Sequence, residues 1–144
     1  GVGPELEHLR SLARSLGIIG NVKFIGELHG NDLLEEVRRN DIGIGSLALY
    51  KKKLAVASEL KNRLYVSQGL PIIVAVDDVD LPSDLGFVYR VPNDDSIIDM
   101  GRLLSWYLSL DNKTLSSDMY TYAQEHLTID KKVDEMLSEI GLAL

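Results

Sequence analysis

Ser46, Ser58 and Lys61 are the side chains of this sequence best suited to holding an anion. They flank the start of a helix expected over residues 57–68, and helix N-termini attract anions through unpaired amides and the positive end of the macrodipole. The plainer reading has Ser46 ending a strand, Ser58 capping the helix and Lys61 solvated; residue types alone leave both open. Lys51, Lys52 and Lys53 lie in the preceding loop. Consecutive lysines read as a solvated loop, with phosphate contact as the alternative. Asp77, Asp78 and Asp80 offer oxygen ligands to a divalent cation, and read more simply as an acidic surface turn. His8, His29 and His126 are too scattered for a ligand set. Only His29 falls in a loop suited to ligands, and a surface histidine is the plainer account. No Ser-His-Asp set and no pair of carboxylates stands out, so the sequence offers no catalytic nucleophile.

Such residues need elements to position them. Gly1, Gly3 and Pro4 make a Gly-rich turn, and Pro4 suits the first turn of a helix, where its missing N–H costs nothing. Leu6, Leu9, Leu12, Ala13 and Leu16 then recur at helical spacing, with Gly17 as the stop. Residues 21–26 read as a short strand. Asn31 or Asp32 is the expected cap of a second helix carrying Leu33, Leu34 and Val37. Asp32 and Glu35 have capping-box spacing, and Arg38 and Arg39 suit the helix's negative end.

Residues 41–46 read as another strand, with Gly43 and Gly45 where something must approach the backbone closely. The 57–68 helix stops at Gly69. Residues 71–76 are continuously apolar, the mark of a strand covered on both faces. A brief strand follows at 87–89, then helices at 97–108, 115–127 and 129–140. Trp106 and Tyr107 read as packing residues of the first of these, or as contacts to another domain. Strands alternating with helices predict an α/β domain, a Rossmann-like parallel sheet with helices on both faces. Ligands of such sheets sit beyond the C-terminal strand ends, here the loops at 26–29, 46–56 and 77–82.

A length of 144 residues suggests one domain. With 45% hydrophobic and 26% charged residues the composition is that of a folded protein, which argues against disorder. Twenty-two Asp and Glu against fifteen Lys and Arg leave a net charge of −7, so no nucleic-acid partner is expected. The absence of cysteine removes disulfides, thiolate nucleophiles and cysteine-bound zinc, and fits a reducing compartment. The longest apolar runs fall far short of the roughly 20 residues that cross a bilayer, and no signal segment opens the chain. The expectation is a soluble cytoplasmic domain.

The order of short motifs says more than any one of them. Gly1-x-Gly3-Pro4-Glu5 comes first, then Asn21-Val22-x-Phe24-x-Gly26, then Asp41 before a strand ending at Ser46, then Gly69-Leu70-Pro71-Ile72-Ile73. In that order they resemble the C-terminal, nucleotide-sugar-binding half of the group 1 glycosyltransferases, retaining enzymes of the GT-B fold, over residues 1–76. The resemblance implies a hexosyltransferase of polysaccharide biosynthesis that moves a sugar from a nucleoside diphosphate to an unknown acceptor. It implies the nucleotide sugar as substrate, with no further cofactor and no bound metal. It also implies an acceptor-binding N-terminal domain, through which the protein would sit peripherally on the inner face of a membrane. Two strands and a helix would precede the Gly-rich turn and carry the Arg and Lys that neutralise the diphosphate. On this reading the chain is part of a two-domain enzyme and is inactive alone.

Many members of that family carry Leu-Lys-x-x-Glu-Tyr shortly before the Gly-x-Pro turn. Here the stretch reads Leu60-Lys61-Asn62-Arg63-Leu64-Tyr65. Lys61 and Tyr65 match. Leu64 stands where the family has a glutamate that holds the ribose hydroxyls, and Val56 stands where a second acid contacts the donor sugar. Glu59 is the nearby carboxylate able to substitute. The donor-binding set implied is Gly3, Gly26, Ser46, Ser58, Glu59, Lys61 and Tyr65, with Gly3 and Gly26 acting through their backbones. The alternative is a binding or scaffold domain of the same fold that has lost donor chemistry with both acids.

Overall fold

The computed structural model describes residues 2–82 and 84–142, so Gly1 of the first motif lies outside it. The chain divides into two compact units, Gly1–Glu36 and Val37–Leu144.

In the first unit, α1 (Leu6–Ser15) buries Ala13. It ends as its glycine foretells: Gly17 takes φ 70°, its N–H bonds Arg14 O at 3.0 Å, and the Ile18 N–H bonds Ala13 O at 3.0 Å. A 3₁₀ turn follows at Ile19–Asn21. The strand expected at 21–26 does not form. Val22 is extended, but no strand among the described residues pairs with it, and an unpaired extended segment makes no ladder. Phe24 and Ile25 instead join Leu6 and Leu9 around an apolar hollow of about 330 Å³. The Arg10 guanidinium lies over the Phe24 ring, 5.6 Å from its centroid. The next helix, α2 (Gly30–Arg38), starts ahead of both expected caps, on a glycine at φ 52°. Asp32 therefore sits inside the first turn, where its charge still favours the helix.

The second unit holds a three-stranded parallel sheet in the order β1 (Gly43–Ile44), β2 (Ile72–Val74), β3 (Val88–Arg90). Gly43 lies opposite Ile72, and Ile72 opposite Val88. Around it stand α3 (Leu60–Ser67), α4 (Met100–Ser109), α5 (Leu115–His126) and α6 (Ile129–Glu139). β2 is buried on both faces, as its continuous apolar run predicts. Ile72 and Val74 pack with Val66 of α3 and with Met119 and Ala123 of α5. Ile73 and Ala75 point the other way and pack with Leu103 of α4. The unit is therefore α/β, with helices on both faces of a small parallel sheet, an arrangement compatible with a Rossmann-like fold.

α3 begins three residues later than the apolar pattern suggests. The Ala57 N–H bonds Asp77 O at 2.9 Å and the Asp77 N–H bonds Ala55 O at 3.0 Å, so this stretch is drawn into a parallel bridge beyond β2. Backbone committed to that bridge cannot also take helical angles.

The close approach expected at Gly43 comes from the protein itself. A Cβ at Gly43 would lie 2.5 Å from Cδ2 of the Tyr65 ring, packed flat on the strand. Gly43→Ala is therefore expected to lower stability by about 1–3 kcal/mol, the usual cost of overpacking. Thermal melts check this, and in a Tyr65→Ala background the same change should cost little more.

Candidate functional site

β1 delivers the chain to the C-terminal end of the sheet. The Gly45 N–H still bonds Ile73 O at 2.8 Å, and the chain then turns away at Ser46. There the Ser46 N–H donates to Glu59 Oε2 at 2.9 Å, and Asn62 Nδ2 donates to the same oxygen at 3.3 Å. Glu59 occupies the N-cap position of α3 in extended conformation, yet its carboxylate does not cap its own helix. It reaches across to Ser46 instead.

Gly45 makes room for this contact. A Cβ there would sit 3.0 Å from Ile73 O, 3.1 Å from Asn62 Oδ1 and 3.3 Å from Glu59 Oε2. Asn62 is buried, and its Oδ1 finds no donor among the described residues.

Electrostatics keep this carboxylate ionised. Burial pushes the Glu59 carboxyl up, but the Ser46 hydroxyl and amide, the Lys61 charge and Asn62 together outweigh it. The net shift is below the ordinary glutamate value. Burial and the Glu59 charge push the Tyr65 phenol up, so it stays a protonated donor at neutral pH. Ser46, Glu59 and Asn62 thus meet at the C-terminal end of β1, with the Lys61 charge acting on Glu59, whereas the Tyr65 ring packs against Gly43 at the start of the strand.

Ser58 is placed differently. It lies outside α3 and gives it no cap; its hydroxyl accepts from Arg63 Nη2. Arg63 is the residue that sequence reasoning missed. Its Nη1 donates to Asp78 Oδ2 and its Nη2 to Asp78 Oδ1, both at 3.1 Å, a bidentate fork, and Nη2 also reaches Asp80 Oδ2. Lys132 of α6 pairs with Asp80 Oδ1 at 2.6 Å, and the Tyr122 hydroxyl donates to Asp80 O at 2.7 Å. Arg90 of β3 pairs with Asp77 at 3.1 Å. Of the three acids in the expected surface turn only Asp77 is exposed: Asp78 is 4% exposed and Asp80 partly covered, and the turn ties α3, α5, α6 and β3 together. Three acids directly after a buried strand were the available signal that cations must stand nearby.

Burial would push the Asp80 carboxyl up, but Lys132 and Arg63 outweigh it and hold it below the ordinary aspartate value. Glu59 is shifted the same way. A depressed folded-state pKa adds stability that is fully present above the unfolded value and disappears as pH falls through the folded one. Melting temperature should therefore hold steady near neutrality and fall once the pH drops below the ordinary carboxylate range. Asp80→Asn should flatten that fall while lowering stability at neutral pH.

The two glycines of the expected donor set belong to the N-terminal unit. Gly3 makes a turn, its carbonyl accepting the Leu6 N–H at 3.1 Å, and the space where its Cβ would be is open. Gly26 takes φ 79°, a left-handed conformation that favours glycine. Lys51, Lys52 and Lys53 are exposed, as a solvated loop should be, in and after the 3₁₀ turn Leu49–Lys52. His29 is exposed and sits 3.3 Å from Glu27. Trp106 donates to Gly86 O at 2.8 Å and packs on Tyr89, while the Tyr107 hydroxyl reaches Asp41 at 3.3 Å. Trp106 is thus a packing residue of α4. Among the described residues no group of three or more His, Asp or Glu is placed to hold a metal ion. No described helix is long and apolar enough to cross a membrane. Comparison with protein-family models, curated proteins and solved structures finds no match.

Proposed function

We propose that this chain is the donor-binding domain of a retaining glycosyltransferase of the GT-B fold, taking a nucleoside-diphosphate sugar beyond the C-terminal end of β1. One observation carries the reading: an ionised Glu59 carboxylate pinned to the Ser46 amide, at the end of the sheet where α/β folds take their ligands. A ribose diol presents two donors, and a fixed carboxylate accepts both through charge-assisted hydrogen bonds. Glu59 thereby fills the role that the family gives to the glutamate at the Leu64 position. The Leu64 and Val56 side chains are apolar, so neither position supplies that contact. Lys61 supplies positive charge to the leaving diphosphate and Tyr65 a neutral donor. The catalytic groups and the acceptor site then belong to a partner domain, and the working enzyme is a cytoplasmic or peripherally membrane-bound transferase of polysaccharide assembly.

A second reading, a scaffold domain without donor chemistry, is favoured by the internal commitment of Ser58 and Arg63 to the acidic turn. Titration calorimetry with UDP, GDP and ADP sugars separates the two. Saturable heat with one nucleotide series is expected from a donor domain. A cooperatively melting protein that gives no heat with any of them is a scaffold.

A further inference from the structure

At the opposite end of the second unit, where α3 hands over to β2, lies a cleft of about 580 Å³. Arg38, Gln68, Lys113, Ser116 and Ser117 line it, with Tyr120 at its side. In a chain of net charge −7, this cleft is walled by two cations and by no carboxylate. The cations come from distant parts of the sequence, the end of α2 and the loop before α5. Arg38 is also aimed: its Nε–H donates to Gln68 Oε1 at 2.9 Å, which sets the plane of the guanidinium at the wall. Lys113 forms no ion pair among the described residues. The floor is Gly69, whose missing Cβ lets Ser116 close in on it. The Ser67 and Ser117 hydroxyls donate to the helix carbonyls of Leu64 and Thr114, while the guanidinium, the ammonium and the Ser116 and Tyr120 hydroxyls line the cleft as donors.

A planar fork, a point charge and hydroxyls around one hollow match the tetrahedral oxyanion of a phosphomonoester. A second hollow shares Gly69 and Ser116 with the first and is lined by Asn40, Asp41 and Asn112, groups that suit hydroxyls. We propose that this cleft binds the phosphate group of a small, hydroxyl-rich phosphomonoester, at a site separate from the Ser46–Glu59 cluster and independent of the donor reading.

The test is an amide NMR titration of the full chain with inorganic phosphate and, separately, glucose 6-phosphate, at ionic strength held constant with chloride. Saturable shifts are expected at Arg38, Lys113, Ser116 and Ser117, with glucose 6-phosphate the tighter of the two. Arg38→Gln together with Lys113→Gln should weaken both by about tenfold or more, since charge-assisted bonds are lost. Lys131→Gln, at an exposed cation of α6 that does not line the cleft, should leave both unchanged. Vesicles containing phosphatidic acid form a further arm; binding to them alone, with no response to the soluble phosphates, overturns the small-molecule assignment. Shifts that never saturate, or that survive the double substitution, overturn the site itself.

Discussion

Arg63→Met is expected to destabilise the protein by about 3–5 kcal/mol, the usual result of removing one partner from a buried ion pair. The change keeps the apolar stem but strips the fork from Asp78, whose side chain is 2% exposed, and leaves that carboxylate without its cation. Asp80 retains Lys132, so the damage centres on Asp78. For a chain of this size the loss corresponds to roughly 10–15 °C in melting temperature. Urea denaturation provides the measurement, and two companions sharpen it. Arg63→Lys should recover only part of the loss, because a point charge cannot make the bidentate contact. Asp78→Asn in the Arg63→Met background should restore stability, because the stranded charge is then gone. If Arg63→Met melts like the wild type, the network is not what ties α3 to the end of β2.

Gly69→Val is expected to cost about 2–5 kcal/mol, from two separate causes. Gly69 closes α3 in a left-handed conformation at φ 73°, with its N–H on Val66 O and the Leu70 N–H on Tyr65 O. A β-branched residue is strained there by roughly 1–2 kcal/mol. Its Cβ would also collide with Ser116 Oγ and fall 3.1 Å from Ser116 Cα, so a helix backbone must shift as well. Overpacking of that kind adds about 1–3 kcal/mol. Gly69→Val measured with Ser116→Gly should recover the packing part and keep the conformational part. An unchanged melting temperature in the single variant would show that the helix end is not held as described.

How far the fold was legible depends on what each segment had to satisfy. The 71–76 run reads as a buried strand because apolar residues on both faces demand cover from both sides, and Ile72 and Ile73 receive it from opposite helices. Helix ends at Gly17 and Gly69 were equally legible, since a positive φ is a local requirement that glycine meets at no steric cost. Residues 21–26 carry strand-like side chains, but pairing is a property of the neighbour, and no local pattern reports whether a neighbour exists. The late start of α3 has the same origin, a bridge to Asp77 about twenty residues away. Of the candidate site, Ser46 and Glu59 are brought into contact at the end of β1, while the Tyr65 ring lies on Gly43. Ser58 was misread because the composition around it suits a cap, whereas Arg63, four residues after Glu59, takes its hydroxyl. Asp78 was misread because acidic residues are ordinarily exposed, and burial backed by a cation on another element leaves no mark in its own segment.

The claim that Glu59 is the ribose acceptor rests on its charge, and one substitution isolates that charge. Glu59→Gln keeps the shape of the side chain and an oxygen able to accept from the Ser46 amide, so the protein should stay folded at neutral pH, losing only the stability that the carboxylate charge adds there. What changes is the strength of its hydrogen bonds to a diol, since neutral acceptors make bonds about half as strong as charged ones. Calorimetric titration of wild type and Glu59→Gln, with whichever nucleotide sugar the wild type binds, should show affinity reduced by about tenfold or more in the variant. Equal affinity in two folded proteins would contradict the account, and the donor would then have to be held elsewhere.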